Sequence, residues 1–356
     1  MKYKITKLKD IAEISMGQSP SSKYYNKTKK GIPFLQGVST FGEMFPQINT
    51  YTTVYRKEAK SGDILFSVRA PVGKVNFANQ KTAIGRGLAT IRVKKTYSKF
   101  YIYYFLKKNG RLLDFLSSGT VFTSINKKDL EEIRLKIPNR LNDQQQIAEK
   151  LLKIDKKIDI NNQINDNLLE LMDKLFNSFF PNINVGYDQI GSFIKNYDRF
   201  RKPLSKKQRS EIPGNYRYIG ATSVMDHINQ YNFNGIYLLL GEDGTVVDDN
   251  GYPILQYIFG KFWPNNHTHV LKGKDISTEW LYLFFRQRKV SNIVTGAVQK
   301  KISQKNLHSL TFRSPSKDNY LKFDKIIQPI FKSIRIRMKE NSSLFQLKQI
   351  LLKRYF

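Results

Sequence analysis

Cysteine is missing from all 356 residues, which removes disulfides and thiolate metal sites and fits a reducing cytoplasm. Histidine is scarce, with four in the chain, so an imidazole-built metal centre has little to draw on. His267 and His269 alternate and would share one face of a strand, yet no metal is expected there. Acid is in the minority: 29 Asp and Glu stand against 60 Lys and Arg, a net charge of +31. Such an excess favours a polyanionic partner, because each phosphate neutralised by Lys or Arg releases condensed counterions. Nucleic acid leads; a merely well-solvated surface is the alternative. No apolar run approaches the roughly 20 residues of a membrane span, and Ile236 to Leu240 is far too short. The stretch from Met1 to Lys4 leads into a charged segment without the apolar heart of a signal peptide. The expectation is a soluble, cytoplasmic protein with no membrane partner.

Catalytic strings are lacking as well. There is no Asn-Pro-Pro-Tyr-type string for amino methylation and no Gly-Lys-Ser/Thr phosphate loop, since Gly73-Lys74 is followed by Val75. The glycines of Gly85-Arg86-Gly87 are too few for a cofactor loop. Glu58-Ala59-Lys60 and Asp155-Lys156-Lys157 have the acid-x-Lys spacing of nucleases, which chance supplies easily in so Lys-rich a chain. Glu242, Asp243, Asp248 and Asp249 read as a turn, or as acceptors for cytosine amino groups, ahead of a divalent-ion site. No catalytic residue is predicted and no cofactor is expected in this chain. A self-contained nuclease or methyltransferase, or a protein binding nucleic acid without sequence preference, are the rival classes.

What the chain does carry is a duplication. GTVFTSINKKDLEEIRLKIP (119–138) and GAVQKKISQKNLHSLTFRSP (296–315) align without a gap, sharing Gly119/Gly296, Val121/Val298, Ile125/Ile302, Lys128/Lys305, Leu130/Leu307 and Pro138/Pro315. Each copy precedes a segment of helical pattern, 146–180 and 322–356. In the first, Ile147, Leu151, Ile154, Ile158, Asn161, Asn165, Leu168, Met172, Leu175 and Phe179 keep a 4-3 spacing, the seam of a coiled coil. Phe323, Ile327, Ile330, Ile334, Arg337, Asn341, Leu344, Lys348, Leu351 and Tyr355 do so in the second. An antiparallel pairing sets Phe179 on Phe323, Leu151 on Leu351, Asn161 on Asn341 and Asn165 on Arg337, with Ile154 against Lys348 as the mismatch. A parallel pairing also matches polar layers, so the pattern alone leaves orientation open. Two helices that each pack only on their own module are the other alternative. Asn142 with Gln145 resembles a capping box at the start of the first helix.

The modules themselves read as mixed α and β. DILFSVR (63–69), KVNFA (74–78) and LATIRV (88–93) are predicted strands between Gly- and Pro-containing breaks. FYIYYFL (100–106) and WLYLFF (280–285) are predicted buried helices, and Asn126 and Ser303 are predicted N-caps. The fold class is therefore α+β: two similar mixed α/β domains over 1–141 and 182–317, with long helices over 142–181 and 318–356 forming an antiparallel coiled coil.

Several strings resemble the specificity subunit of type I restriction-modification systems. They are GQSPSSKYY (17–25), IPFLQGVS (32–39), GDILFSVRAPVGKV (62–75), SGTVFTSINKKDLEEIRLKIP (118–138) and QQQIAEKL (144–151), then YRYIGATSV (216–224), FWPNNHTHVLK (262–272) and the Gly296 loop. The order, the duplication and the two helices together carry the likeness over essentially the full length. The second module departs from the first where GEDGTVV (241–247) replaces VRAPVGKV and AVQKK replaces TVFTS. The resemblance implies a non-catalytic scaffold on double-stranded DNA: each target recognition domain reads half of a split target, and the helices act as a ruler for the unread spacer. It further implies two methyltransferase subunits docked on the helices, and restriction/translocase subunits beyond them. S-adenosylmethionine, ATP and Mg²⁺ would belong to those partners.

Bases are told apart by donors and acceptors on their groove edges, while phosphate contacts position the protein. In the first module the candidate readers are Lys23, Tyr24, Tyr25, Ser39, Thr40, Arg69, Lys74 and Arg86, then Thr120, Phe122, Thr123, Ser124 and Lys127 around the repeated loop. In the second, Lys195, Tyr197, Arg199, Arg201, Lys202, Lys206, Lys207 and Arg209 crowd around one acid, Asp198, as a phosphate-binding run. Asn265, Asn266 and His267 offer amide and imidazole groups to bases, and Gln299, Lys300 and Lys301 repeat the loop argument.

Overall fold

The computed structural model describes residues 1–110, 124–296 and 298–356. The chain divides into two compact units, Met1–Ile158 together with Ser342–Phe356, and Asp159–Asn341. The division passes through both long helices, so each unit owns a part of each.

In the first unit a four-stranded antiparallel sheet runs in the order Ala12–Met16, Leu88–Val93, Ile64–Ser67, Val75–Phe77. Every residue of the ILFS and VNF strands is buried, as expected of strands covered on both faces. The helix Lys99–Asn109 packs against them, started by Ser98, whose hydroxyl accepts from the Tyr101 amide. Its residues Tyr101 to Leu106 are all buried, which explains an apolar run with almost no polar face. A second sheet contains the parallel pair Ile32–Leu35 and Thr82–Ile84. Strand Tyr3–Lys7 pairs with Arg134–Pro138, the end of the first repeat copy.

The second unit is built on the same plan. Ile194–Asn196, Thr268–Gly273, Phe233–Gly241 and Leu255–Pro264 follow one another in the same order, and Pro213–Ile219 joins the sheet parallel to the end of the last strand. Helix Thr278–Arg286 is capped by Ser277 as its counterpart is by Ser98. Asp188–Gln189 pairs with Thr311–Phe312. The predicted caps Asn126 and Ser303 both accept from the amide three residues on, and Leu130 and Leu307 behind them are fully buried. The duplication is thus structural as well as textual.

The long helices span Leu141–Phe179 and Lys317–Tyr355. Asn142 sits inside the first turn rather than at its cap. The anchoring residue is Gln144, buried, which donates to the Pro138 carbonyl at 2.9 Å and accepts from the Ser98 amide at 2.9 Å. Within the first unit Leu151 shares a core with Leu351 and Leu352, while Asp155 pairs with Lys348. Within the second, Asn161 donates to Asn341 at 2.8 Å and Phe179 meets Phe323 at 5.3 Å. In both units numbers rise along one helix as they fall along the other, so the pairing is antiparallel. No predicted seam position is exposed. Lys348, expected as a mismatch, is 6% exposed and neutralised by Asp155, which also accepts from the Tyr104 hydroxyl at 2.7 Å. Asn165 and Arg337 share no hydrogen bond: the guanidinium donates to Ser333 of its own helix at 2.9 Å, and Asn165 Oδ1 is buried with no hydrogen-bond partner among the described residues. Off the seam, Phe176 and Phe331 are fully buried against Trp280 and Tyr257. Within each unit, therefore, the segments of the two helices pack on each other and on that unit's core at once. Among the described residues, no helix is long and apolar enough to cross a membrane.

Candidate nucleic-acid interface

Each unit gathers four chain segments at the end of its sheet, and the hydrogen bonds that gather them match one for one. In the first unit the Val68 amide donates to Gly87 O at 3.0 Å, the Ile125 amide donates to Val68 O at 2.9 Å, and the Gly85 amide donates to Leu35 O at 2.8 Å. In the second, Glu242 donates to His267 O at 2.9 Å, Ile302 to Glu242 O at 2.9 Å, and Asn265 to Ile219 O at 2.8 Å. Isolated bridges join Arg69 to Ser124 and Asp243 to Lys301. The equivalent pairs at the two tips are thus Arg69 with Asp243, Arg86 with Asn266, and Ser124 with Lys301. The framework is shared and the side chains are not.

Around the first tip, Arg69, Lys74, Arg86 and Ser124 are exposed. The Arg86 amide is held by Ser19 Oγ at 3.1 Å, and Gln36 Oε1 accepts from Ser19 at 3.1 Å, so segment 17–25 and the turn Val38–Thr40 with Ser39 and Thr40 border the same surface. Lys23 is exposed above the Tyr24 ring. Tyr25 is half-buried: its hydroxyl donates to Pro20 O at 2.9 Å and its ring packs on Phe34. Thr120, Phe122 and Thr123 lie outside the described residues. Lys127 is exposed and pairs with Glu131 at 3.4 Å.

The basic run of the second unit splits into two kinds of residue. Arg201 and Arg209, expected on phosphates, are spent within the fold. Arg201 donates to Glu242 at 2.6 Å and to Thr268 O at 2.5 Å; Arg209 donates to Leu204 O at 2.6 Å and Asp226 at 3.1 Å and lies over Tyr218. Each guanidinium is turned onto acceptors of the fold and little of it is left to solvent. Tyr197 is likewise half-buried against Tyr237. Lys195, Arg199, Lys202, Lys206 and Lys207 are exposed, the last two on the helix Lys206–Glu211. Asn265 is 5% exposed and its Oδ1 accepts from the His267 amide at 2.9 Å, so its side chain shapes the turn and does not face outward. Asn266, His267, Gln299, Lys300 and Lys301 are exposed. Lys301 stands 3.6 Å from Glu242 and 3.5 Å from Asp243, and Asp248 accepts from Asn250 and Tyr252 amides as a turn residue does.

Sequence reasoning missed the network that ties these parts together. Asp198 accepts from the Val270 amide at 2.7 Å and from His269 Nδ1 at 2.6 Å, while His269 Nε2 donates to Ile302 O at 2.8 Å. Burial opposes a charge on His269, but the hydrogen bond to Asp198, its charge, the Ile302 carbonyl and Glu242 outweigh it, and the pKa lies above the ordinary value. Asp198 is held below the usual carboxylate range: burial works against this, and the His269 and Val270 hydrogen bonds with Arg201 prevail. Ligand atoms of Asp198, Glu242 and His269 lie within 4.8 Å of one another. A metal there would have to displace Arg201 and strip a proton from His269, so the residues do not fit one. The one acid in a basic run was the available signal.

The comparisons with known proteins come down on one family. Residues 1–170 and 188–344 match the family model of the type I restriction modification DNA specificity domain. A type I restriction enzyme specificity subunit of Methanocaldococcus jannaschii is 46% identical over 144 residues, 40% of this chain and 34% of that one. The match thus spans about a third of that relative's length. A second specificity subunit from the same organism is 22% identical over 98% of this chain and 91% of its own. The crystal structure of the S subunit of a type I restriction-modification system from M. genitalium shares the fold, with a TM-score of 0.57 at 18% identity over 100% of this chain and 96% of that one.

Proposed function

Since the chain belongs to the type I restriction-modification DNA specificity family, we propose that it is the sequence-specific DNA-binding subunit of such a complex. Each unit reads one half of a two-part target, and the helix pair sets the spacer between the halves and docks two methyltransferase subunits, with restriction/translocase subunits joining the assembly. One observation carries the reading: the same tip framework occurs twice and presents unlike side chains, as two readers of unlike sequences require. The net charge of +31 supports a duplex as the partner. The chain itself is non-catalytic; S-adenosylmethionine, ATP and Mg²⁺ act on the partner subunits, in the cytoplasm.

Incubating the purified full chain with duplex DNA, Mg²⁺ and S-adenosylmethionine is expected to give binding without cleavage or methyl transfer, and either activity in the chain alone would defeat the scaffold reading. In the complex, a matched insertion into both long helices should alter the tolerated spacer and leave both half-sites as they were.

A further inference from the structure

Arg86 and Asn266 occupy one and the same position in the two tips. Each follows a residue whose amide bonds the neighbouring parallel strand, Gly85 to Leu35 O and Asn265 to Ile219 O, both at 2.8 Å. Each precedes a residue whose carbonyl accepts from the end of the next strand, Gly87 from Val68 and His267 from Glu242. The parallel registers agree as well, Leu35 opposite Ile84 and Ile219 opposite Pro264. The backbone on either side is therefore pinned in both units. Both side chains are exposed, and neither makes a side-chain hydrogen bond or ion pair among the described residues. An exposed side chain on a pinned backbone is available to an external partner without the cost of ordering its loop, and only its own rotamers remain to be fixed on contact.

Chemistry separates the two. A guanidinium offers only donors, in a fork that fits the O6 and N7 acceptors of guanine. A carboxamide offers one donor and one acceptor side by side, the complement of adenine N7 and N6. We propose that Arg86 and Asn266 are equivalent specificity residues, Arg86 selecting guanine in one half of the target and Asn266 selecting adenine in the other. The assignment rests on the two-part reading above. Arg201 donates to Asn266 O at 3.3 Å and so helps to hold that backbone.

The test is selection from a pool of randomised duplexes by the full chain, with whatever subunits co-purify with it, comparing the native protein with Arg86→Asn and Asn266→Arg. Native protein should return a two-part consensus. Arg86→Asn should exchange guanine for adenine at one position of one half only, and Asn266→Arg should do the reverse in the other half, each by roughly ten- to a hundredfold. An unchanged consensus, or a change in the wrong half, overturns the assignment. So does uniform weakening on all duplexes with a shallower salt dependence, the mark of a phosphate contact. A native protein that selects no consensus at all defeats the two-part reading itself and the assignment with it.

Discussion

At the scale of single residues, the buried ion network of the second unit makes a prediction about pH. His269 has its folded pKa raised above the ordinary 6.5, so its contribution to stability is complete below that value and is lost as pH rises through the raised one. Asp198, whose pKa is depressed below 3.8, works the other way and loses its contribution only as pH falls through its folded value. Thermal unfolding of the second unit, followed as pH is stepped upward from 6.5, should show a decline that His269→Gln abolishes; a decline that persists in the variant would mean another group titrates. Arg201 belongs to the same network, and its case shows why residue roles were only partly legible. Composition identifies a basic run around Asp198, but whether a given arginine faces water or Glu242 is decided by residues some forty positions away. Nothing local distinguishes Arg201 from Arg199.

At the scale of elements, the seam of the long helices is readable because its period is local and strong, and strand 88–93 and the helix over 100–106 because each is a short apolar run between breaks. The seam pattern alone does not choose between the expected antiparallel pairing and a parallel one, since polar layers match polar layers in either direction; what lets Lys348 fit is Asp155, one position off the seam. The start of the first helix is legible to within a residue, but not the side chain that anchors it: Asn142, Asp143, Gln144 and Gln145 are all polar, and only the fold shows that Gln144 is the one turned inward. The layer of Asn161 and Asn341 carries a prediction of its own. Asn161→Leu alone takes a donor from both the Asn341 amide oxygen and the Glu340 carboxylate and should cost about 1–3 kcal/mol, read as a lowered denaturant midpoint. Replacing both by Leu should recover most of that loss, because the polar layer serves register more than stability.

At the scale of the whole molecule, the charge of +31 predicts that the logarithm of duplex affinity falls linearly with the logarithm of salt, with a slope near −0.9 for each phosphate neutralised; titrations at several salt concentrations that gave a flat line would remove DNA backbone as the partner. The duplication was legible from residues 119–138 and 296–315, whereas the equivalence of Arg86 with Asn266 was not, because it is defined by backbone registers between distant strands. The shared ownership of the long helices has a consequence for synthesis. Leu352 is 5% exposed in the core of the first unit and Phe356 lies against Tyr101 there. The first unit therefore waits, with an apolar cleft unfilled, until the last helix has left the ribosome. A stop codon at Ser342 would spare every residue of the second unit and spoil the unit translated before it.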